Sequence, residues 1–87
     1  MEIGYTDDAK IHLKFWQRSG NKATQRKISE LIQSILLTPY SGLGKPEPLK
    51  HNLSGMWSRR ISKEDRLVYE VDEENQLIII HSLRGHY

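Results

Sequence analysis

An α+β fold is predicted, with two N-terminal helices packed on a small, mainly antiparallel, twisted β-sheet. Three observations predict it. Apolar side chains recur at helical spacing in the first half of the chain, the second half holds three runs rich in Ile, Val, Tyr and Leu, and polar turns separate those runs. The 87 residues are read as one domain, 1–87, because a split would leave neither half with a core.

Met1–Tyr5 is a short strand candidate ahead of the first helix. Thr6 can cap that helix, and Asp7 and Asp8 complement its dipole in the first turn. Ala9, Leu13 and Trp16 form its apolar face, and Ser19-Gly20 ends it. Asn21 can cap the second helix, whose stripe is Ile28, Leu31, Ile32, Ile35 and Leu36. Thr38-Pro39 stops it, because a residue before proline is pushed out of the α region. The predicted strands are Trp57–Ser62, Arg66–Val71 and Gln76–Leu83, with Lys63-Glu64-Asp65 and Asp72-Glu73-Glu74-Asn75 as hairpin loops. If Ile61 lies opposite Leu67, Arg60 and Arg66 share one face of the sheet, while Leu67, Tyr69 and Val71 face the helices. Arg59 then falls on the other face from Arg60, and no functional role is assigned to it.

Composition excludes several classes. The chain has no cysteine, which removes disulfides, thiolate catalysis and cysteine-based zinc sites. Its first residues, MEIGYTDDAK, lack the basic and apolar regions of a signal peptide. The longest aliphatic run, Leu77 to Ile80, is too short to span a membrane, so a cytoplasmic protein with no membrane partner is expected. A net charge of +2 is too small to argue for nucleic acid by itself. Much of the excess cation lies in the hairpin region, at Arg59, Arg60, Lys63 and Arg66. The four histidines, His12, His51, His81 and His86, match no metal-ligand spacing, and no phosphate-binding glycine motif occurs. Neither a metal nor a cofactor is expected, and His12 is given no role.

The chemistry is concentrated in Gly44 to Tyr69, GKPEPLKHNLSGMWSRRISKEDRLVY, together with His86-Tyr87. Its first half is too rich in proline, glycine and polar groups for a helix or a continuous strand. Glu47, Lys50, Arg60, Arg66, His86 and Tyr87 supply a carboxylate, fixed cations, an imidazole and an aromatic hydroxyl. Those are the parts needed for metal-free cleavage of RNA by its own 2′-hydroxyl: a base, cations for the phosphorane-like transition state, and an acid for the leaving 5′-oxygen. On residue types alone, salt bridges account for the same set. Trp57 and Tyr69 fit packing better than base stacking.

The run Thr38-Pro39-Tyr40, followed by Gly42-x-Gly44-Lys45-Pro46-Glu47-Pro48-Leu49-Lys50-His51-Asn52-Leu53-Ser54-Gly55, closely resembles the YoeB toxins. These belong to the RelE-like superfamily of type II toxin–antitoxin systems, whose fold is microbial ribonuclease-like. Trp57-Ser58-Arg59-Arg60-Ile61, Arg66-Leu67-Val68-Tyr69 and the closing His86-Tyr87 continue the resemblance over essentially the whole chain. It implies a ribosome-dependent endoribonuclease that cuts mRNA in the ribosomal A site and halts translation. It also implies neutralisation by a YefM-like antitoxin, and a possible homodimer. By this resemblance Glu47 is the general base, His86 the general acid and Arg66 the transition-state stabiliser. Lys50, Arg60 and Tyr87 bind the substrate. A non-catalytic translation inhibitor on the same scaffold and a ribosome-independent ribonuclease are the alternative readings.

Two departures stand out. Where the family often has Glu-His-Arg, this chain has Glu64-Asp65-Arg66, and Asp65 is expected to lie in the turn and point away. Gly85 replaces an aromatic residue of some relatives, which predicts a less constrained tail.

Overall fold

The computed structural model describes residues 1–85. Two helices, α1 (Asp7–Ser19) and α2 (Lys22–Leu37), cover one face of a five-stranded sheet. The strands are β1 (Glu2–Tyr5), β2 (Glu47–Pro48), β3 (Met56–Arg60), β4 (Arg66–Asp72) and β5 (Leu77–Ser82), in the order β1-β5-β4-β3-β2. Every pairing is antiparallel except β1 with β5, which is parallel, so the sheet is mixed. Among the described residues no helix is long and apolar enough to cross a membrane.

Both helices start where their caps predict. The Thr6 hydroxyl accepts from Ala9 N at 3.1 Å, and Asn21 Oδ1 accepts from Thr24 N at 3.0 Å. Each such cap contributes about 1 kcal/mol. Gly20, at φ 75°, closes α1 in the left-handed conformation that glycine adopts without steric cost. Ala9 and Trp16 of α1 and Ile28, Leu31 and Ile35 of α2 are buried against Leu67, Tyr69, Ile78 and Ile80 of the sheet. Each large aliphatic side chain buried there stabilises the fold by about 1.5–3 kcal/mol. Leu36, predicted in that stripe, is instead 37% exposed, because it lies at the margin of the arc that meets the sheet.

The register of the central hairpin differs from the predicted one by two residues. Arg60 pairs directly with Arg66, and Arg59, not Ile61, lies opposite Leu67. A two-residue shift preserves side-chain parity, so Arg60 and Arg66 still share a face and Leu67 and Tyr69 still meet the helices. β3 ends at Arg60 because Ile61 N and Ser62 N both donate to Asp65 O, at 3.0 and 3.1 Å, which closes the turn instead of extending the ladder. β5 ends at Ser82 because α1 captures the next residue. Leu83 N donates to His12 Nδ1 at 3.1 Å, and Trp16 Nε1 donates to Leu83 O at 2.8 Å. His12, unassigned from the sequence, therefore ties α1 to the chain beyond β5.

Candidate active site

The segment between α2 and β3 is shaped from below by Arg59. This arginine is 0% exposed, and all five of its N–H donors are used. Nε donates to the Tyr69 hydroxyl at 3.1 Å; Nη1 donates to Ser34 Oγ at 2.8 Å and Leu43 O at 3.0 Å; Nη2 donates to Thr38 O at 2.7 Å and Ser41 O at 2.9 Å. Tyr69 in turn donates to Pro39 O at 2.6 Å. Loop carbonyls that no strand or helix satisfies are thus gathered around one guanidinium. Burial pushes the Tyr69 hydroxyl above its ordinary pKa, partly offset by the hydrogen bond from Arg59.

Gly44 then brings the loop against β3. Its carbonyl accepts from Arg60 N at 2.7 Å, and a Cβ at this position would lie 2.7 Å from Leu31 Cδ2 and 3.1 Å from Arg59 Cβ. Its φ of 80° is also left-handed, so both space and backbone require glycine. Three residues later Glu47 pairs with Ser58, and Pro48 with Trp57, as the edge strand β2. Proline fits an edge because it has no N–H to give to a further strand. Lys50 follows, ahead of a single 3₁₀ turn at His51–Leu53.

This path places Glu47, Lys50 and Arg66 around one groove of about 540 Å³ with Ser58 also in its lining. Glu47 Oε2 lies 3.6 Å from Arg66 Nη1, with the two side chains 58% and 24% exposed. The pair is a loose, wet contact, open to competition from an anionic ligand. Ser58 Oγ is buried and has no hydrogen-bond partner among the described residues. Arg66 also borders a second groove, of about 620 Å³, where Lys27, Lys45, Arg60 and Lys63 join it. Among the described residues, five cations and no carboxylate line that second groove, an arrangement that suits a polyanion.

The predicted set is therefore partly assembled. Glu47, Lys50 and Arg66 converge, and Arg60 stands beside Arg66 in the adjoining groove. His86 and Tyr87 lie outside the described residues. Tyr69 is buried, and Trp57 packs against Tyr40 with ring centroids 5.1 Å apart, as expected of packing residues. Asp65 departs from expectation: it does not point away, but accepts from Gly85 N through Oδ1 at 2.9 Å. Gly85 O accepts from Arg66 N at 2.8 Å, so Gly85 is held at both of its backbone polar groups, while the tail expected to be less constrained lies outside the described residues. The sequence reading also leaves out Ser58 and Arg59. The signal for Arg59 is its inward parity, which puts a charge on a face otherwise made of Leu67, Tyr69 and Trp57.

Comparison with known proteins shows the family and the fold. The family described as "YoeB-like toxin of bacterial type II toxin-antitoxin system" matches residues 5–87. Toxin YoeB of Escherichia coli (strain K12) is 45% identical over 87 residues, covering all of both chains. The solved YoeB/ParE toxin from Agrobacterium tumefaciens superposes with a TM-score of 0.95 at 41% identity, covering all of both chains. A YoeB-YefM complex from Staphylococcus aureus contains a chain with a TM-score of 0.87 at 44% identity, with 98% of this chain and 95% of that one covered. By its match to the family over residues 5–87, its full-length relatives and its two-helix, five-stranded fold, this chain belongs to the YoeB family of type II toxin–antitoxin toxins.

Proposed function

We propose that this toxin is a ribosome-dependent endoribonuclease that cuts mRNA in the ribosomal A site by metal-free acid–base catalysis. The observation that carries the proposal is the Glu47 carboxylate beside the Arg66 guanidinium in one open groove. Glu47 removes the proton of the ribose 2′-hydroxyl. The 2′-oxygen attacks the adjacent phosphorus, forming a 2′,3′-cyclic phosphate as the bond to the 5′-oxygen breaks. His86 gives that 5′-oxygen its proton, leaving a 5′-hydroxyl fragment, and solvent resets both groups. Arg66 draws the phosphate in, and its loose contact with Glu47 gives way to the stronger charge-assisted contact with phosphate oxygens. Lys50 adds charge on the groove wall, Arg60 grips the neighbouring backbone, and Tyr87 orients the RNA.

The open groove is consistent with dependence on the ribosome. The groove is open to solvent, and alignment of the 2′-oxygen with the scissile bond is the part of the mechanism assigned to the ribosome. The antitoxin partner is a YefM-like protein, by analogy with the Staphylococcus aureus complex. Leu36, Leu37, Tyr40 and Leu43 form an exposed apolar run at the end of α2 and in the loop after it, suited to a segment that folds on binding.

The test is cleavage-site mapping on programmed ribosomes with wild type, Glu47→Ala and His86→Gln. Wild type is expected to cut within the A-site codon and leave a cyclic phosphate, and each variant to lose at least about a hundredfold in rate. Unchanged cutting by both variants refutes the mechanism. Equally fast cutting of naked RNA refutes the role of the ribosome.

A further inference from the structure

Among the described residues, Ser58 Oγ is the one buried side-chain polar atom without a hydrogen-bond partner. A buried hydroxyl left unpaired destabilises a fold, so its presence calls for a physical reason. Ser58 lies on β3 between β2 and β4, opposite Glu47 on one side and Val68 on the other. Residues paired directly across antiparallel strands point to one face, with Cβ atoms about 4.5–5.5 Å apart. Ser58 and Glu47 are such a pair, and both line the groove that holds Arg66. A serine hydroxyl stands on its Cβ and a glutamate carboxylate lies two carbons beyond its own, so the two groups are within reach of each other. In the free protein the carboxylate turns instead to Arg66, with Glu47 Oε2 3.6 Å from Nη1.

We propose that Ser58 is a positioning residue, whose hydroxyl takes up the Glu47 carboxylate when an RNA phosphate draws Arg66 away. The Glu47–Arg66 contact is long and exposed, so phosphate oxygens compete for the guanidinium on favourable terms. Glu47 then loses the cation beside it just as a second negative charge arrives. A like charge disfavours the ionised carboxylate, the form that can take a proton. The charged groups that share the groove with Glu47 are Arg66 on β4 and Lys50 on the segment after β2; Pro48, Leu49 and Ser58 complete the described lining. A hydroxyl donating to one carboxylate oxygen favours the ionised form and leaves the other oxygen for the ribose 2′-hydroxyl. The base is thus held by a cation before the phosphate arrives and by a serine afterwards. The unpaired hydroxyl of the free protein is the resting state of that exchange.

The catalytic consequence rests on the base role given to Glu47 above; the exchange of partners does not. Removing Arg66 reproduces the exchange without RNA, so urea unfolding at neutral pH is compared for wild type, Ser58→Ala, Arg66→Ala and the double variant. With Arg66 in place, Ser58→Ala is expected to raise the midpoint by about 0.5 M urea, because an unpaired hydroxyl is removed. In the Arg66→Ala background the same change is expected to lower the midpoint, because Glu47 has turned to Ser58. A shift of one sign in both backgrounds overturns the contact. A reversal that persists when Glu47→Ala is added assigns the hydroxyl to another acceptor and overturns it as well. On programmed ribosomes, Ser58→Ala is expected to lose at least about fivefold in kcat at neutral pH, with the acid limb of the kcat profile moved to higher pH and that of kcat/KM in place. The first limb reports the bound complex and the second the free enzyme, so a general loosening of the fold does not separate them. An unmoved kcat limb overturns the positioning role. A wild-type protein that cuts no RNA would refute the function proposed above, and the urea measurements would still decide the contact.

Discussion

Replacing Arg59 by lysine tests whether the loop that carries Glu47 is held by the geometry of a guanidinium or merely by a buried positive charge. The charge is kept and the donor set is not. Five acceptors surround the site, and an ammonium has three donors on one nitrogen, so at least two acceptors lose their partner. The acceptors are also spread from Ser34 on α2 to Tyr69 on β4, which a single nitrogen cannot reach together. Hydrogen bonds to charged groups contribute about 1.5–3 kcal/mol each, and the exposed loop carbonyls recover part of that from water, so a net loss of about 3 kcal/mol is expected. For a domain of this size each kcal/mol lowers Tm by about 4–8 °C, which gives a fall of about 12–24 °C. Differential scanning calorimetry at neutral pH reads it directly. A Tm within about 3 °C of wild type would refute the reasoning, because it would mean that the five contacts add nothing beyond the charge.

Gly44→Ala is expected to cost about 2–4 kcal/mol in urea unfolding, since the added methyl meets Leu31 and Arg59 and the left-handed backbone is strained as well; a cost below about 0.5 kcal/mol would contradict the close approach. Ser58→Ala is expected to stabilise the protein by about 1 kcal/mol, because it removes a buried hydroxyl that has no partner among the described residues. A loss of stability would reveal a partner. Tyr69 has a folded pKa raised above its unfolded value by burial, so its contribution is intact below pH ~10 and is lost as pH rises through the raised value. Urea midpoints measured between about pH 9 and pH 12 are expected to fall in wild type and to fall less in Tyr69→Phe; parallel curves would refute the assignment.

Features written in local chemistry were legible in the sequence. Thr6 and Asn21 cap the helices they precede, and Thr38-Pro39 ends the second one. The shared face of Arg60 and Arg66 was also legible, even with the register two residues out, because parity survives an even shift. Glu47 and Lys50 were singled out by residue type and given roles by the family resemblance; their neighbours in the groove depend on β2 pairing with β3, which a two-residue strand hardly announces. The features that escaped depend on distant partners. Arg59 looks idle along the chain because its acceptors are neutral groups up to 25 residues away. Asp65 shows the chemistry of a turn, and its second role appears only when a residue 20 positions later folds back onto it. His12 escaped in the same way, with its partner 71 residues downstream.

The parallel pairing of β1 with β5 constrains the order in which the molecule is made. Glu2 N donates to Gln76 O and Thr6 N to Ile80 O, so among the described residues β1 finds its sheet partner in β5, which is made after β2, β3 and β4, and in the turn before it. Chains emerge at about 5–20 residues per second, and β1 must therefore wait several seconds with its edge unpaired. The helices can form early, yet they cover a sheet whose interior strand β5 is still missing. Completion of the sheet, capture of Leu83 by α1 and delivery of Gly85 to Arg66 all fall at the end of the same sequence of events. Until β5 arrives, a growing chain therefore carries its helices and its β2–β3–β4 edge without the strand that joins them to β1.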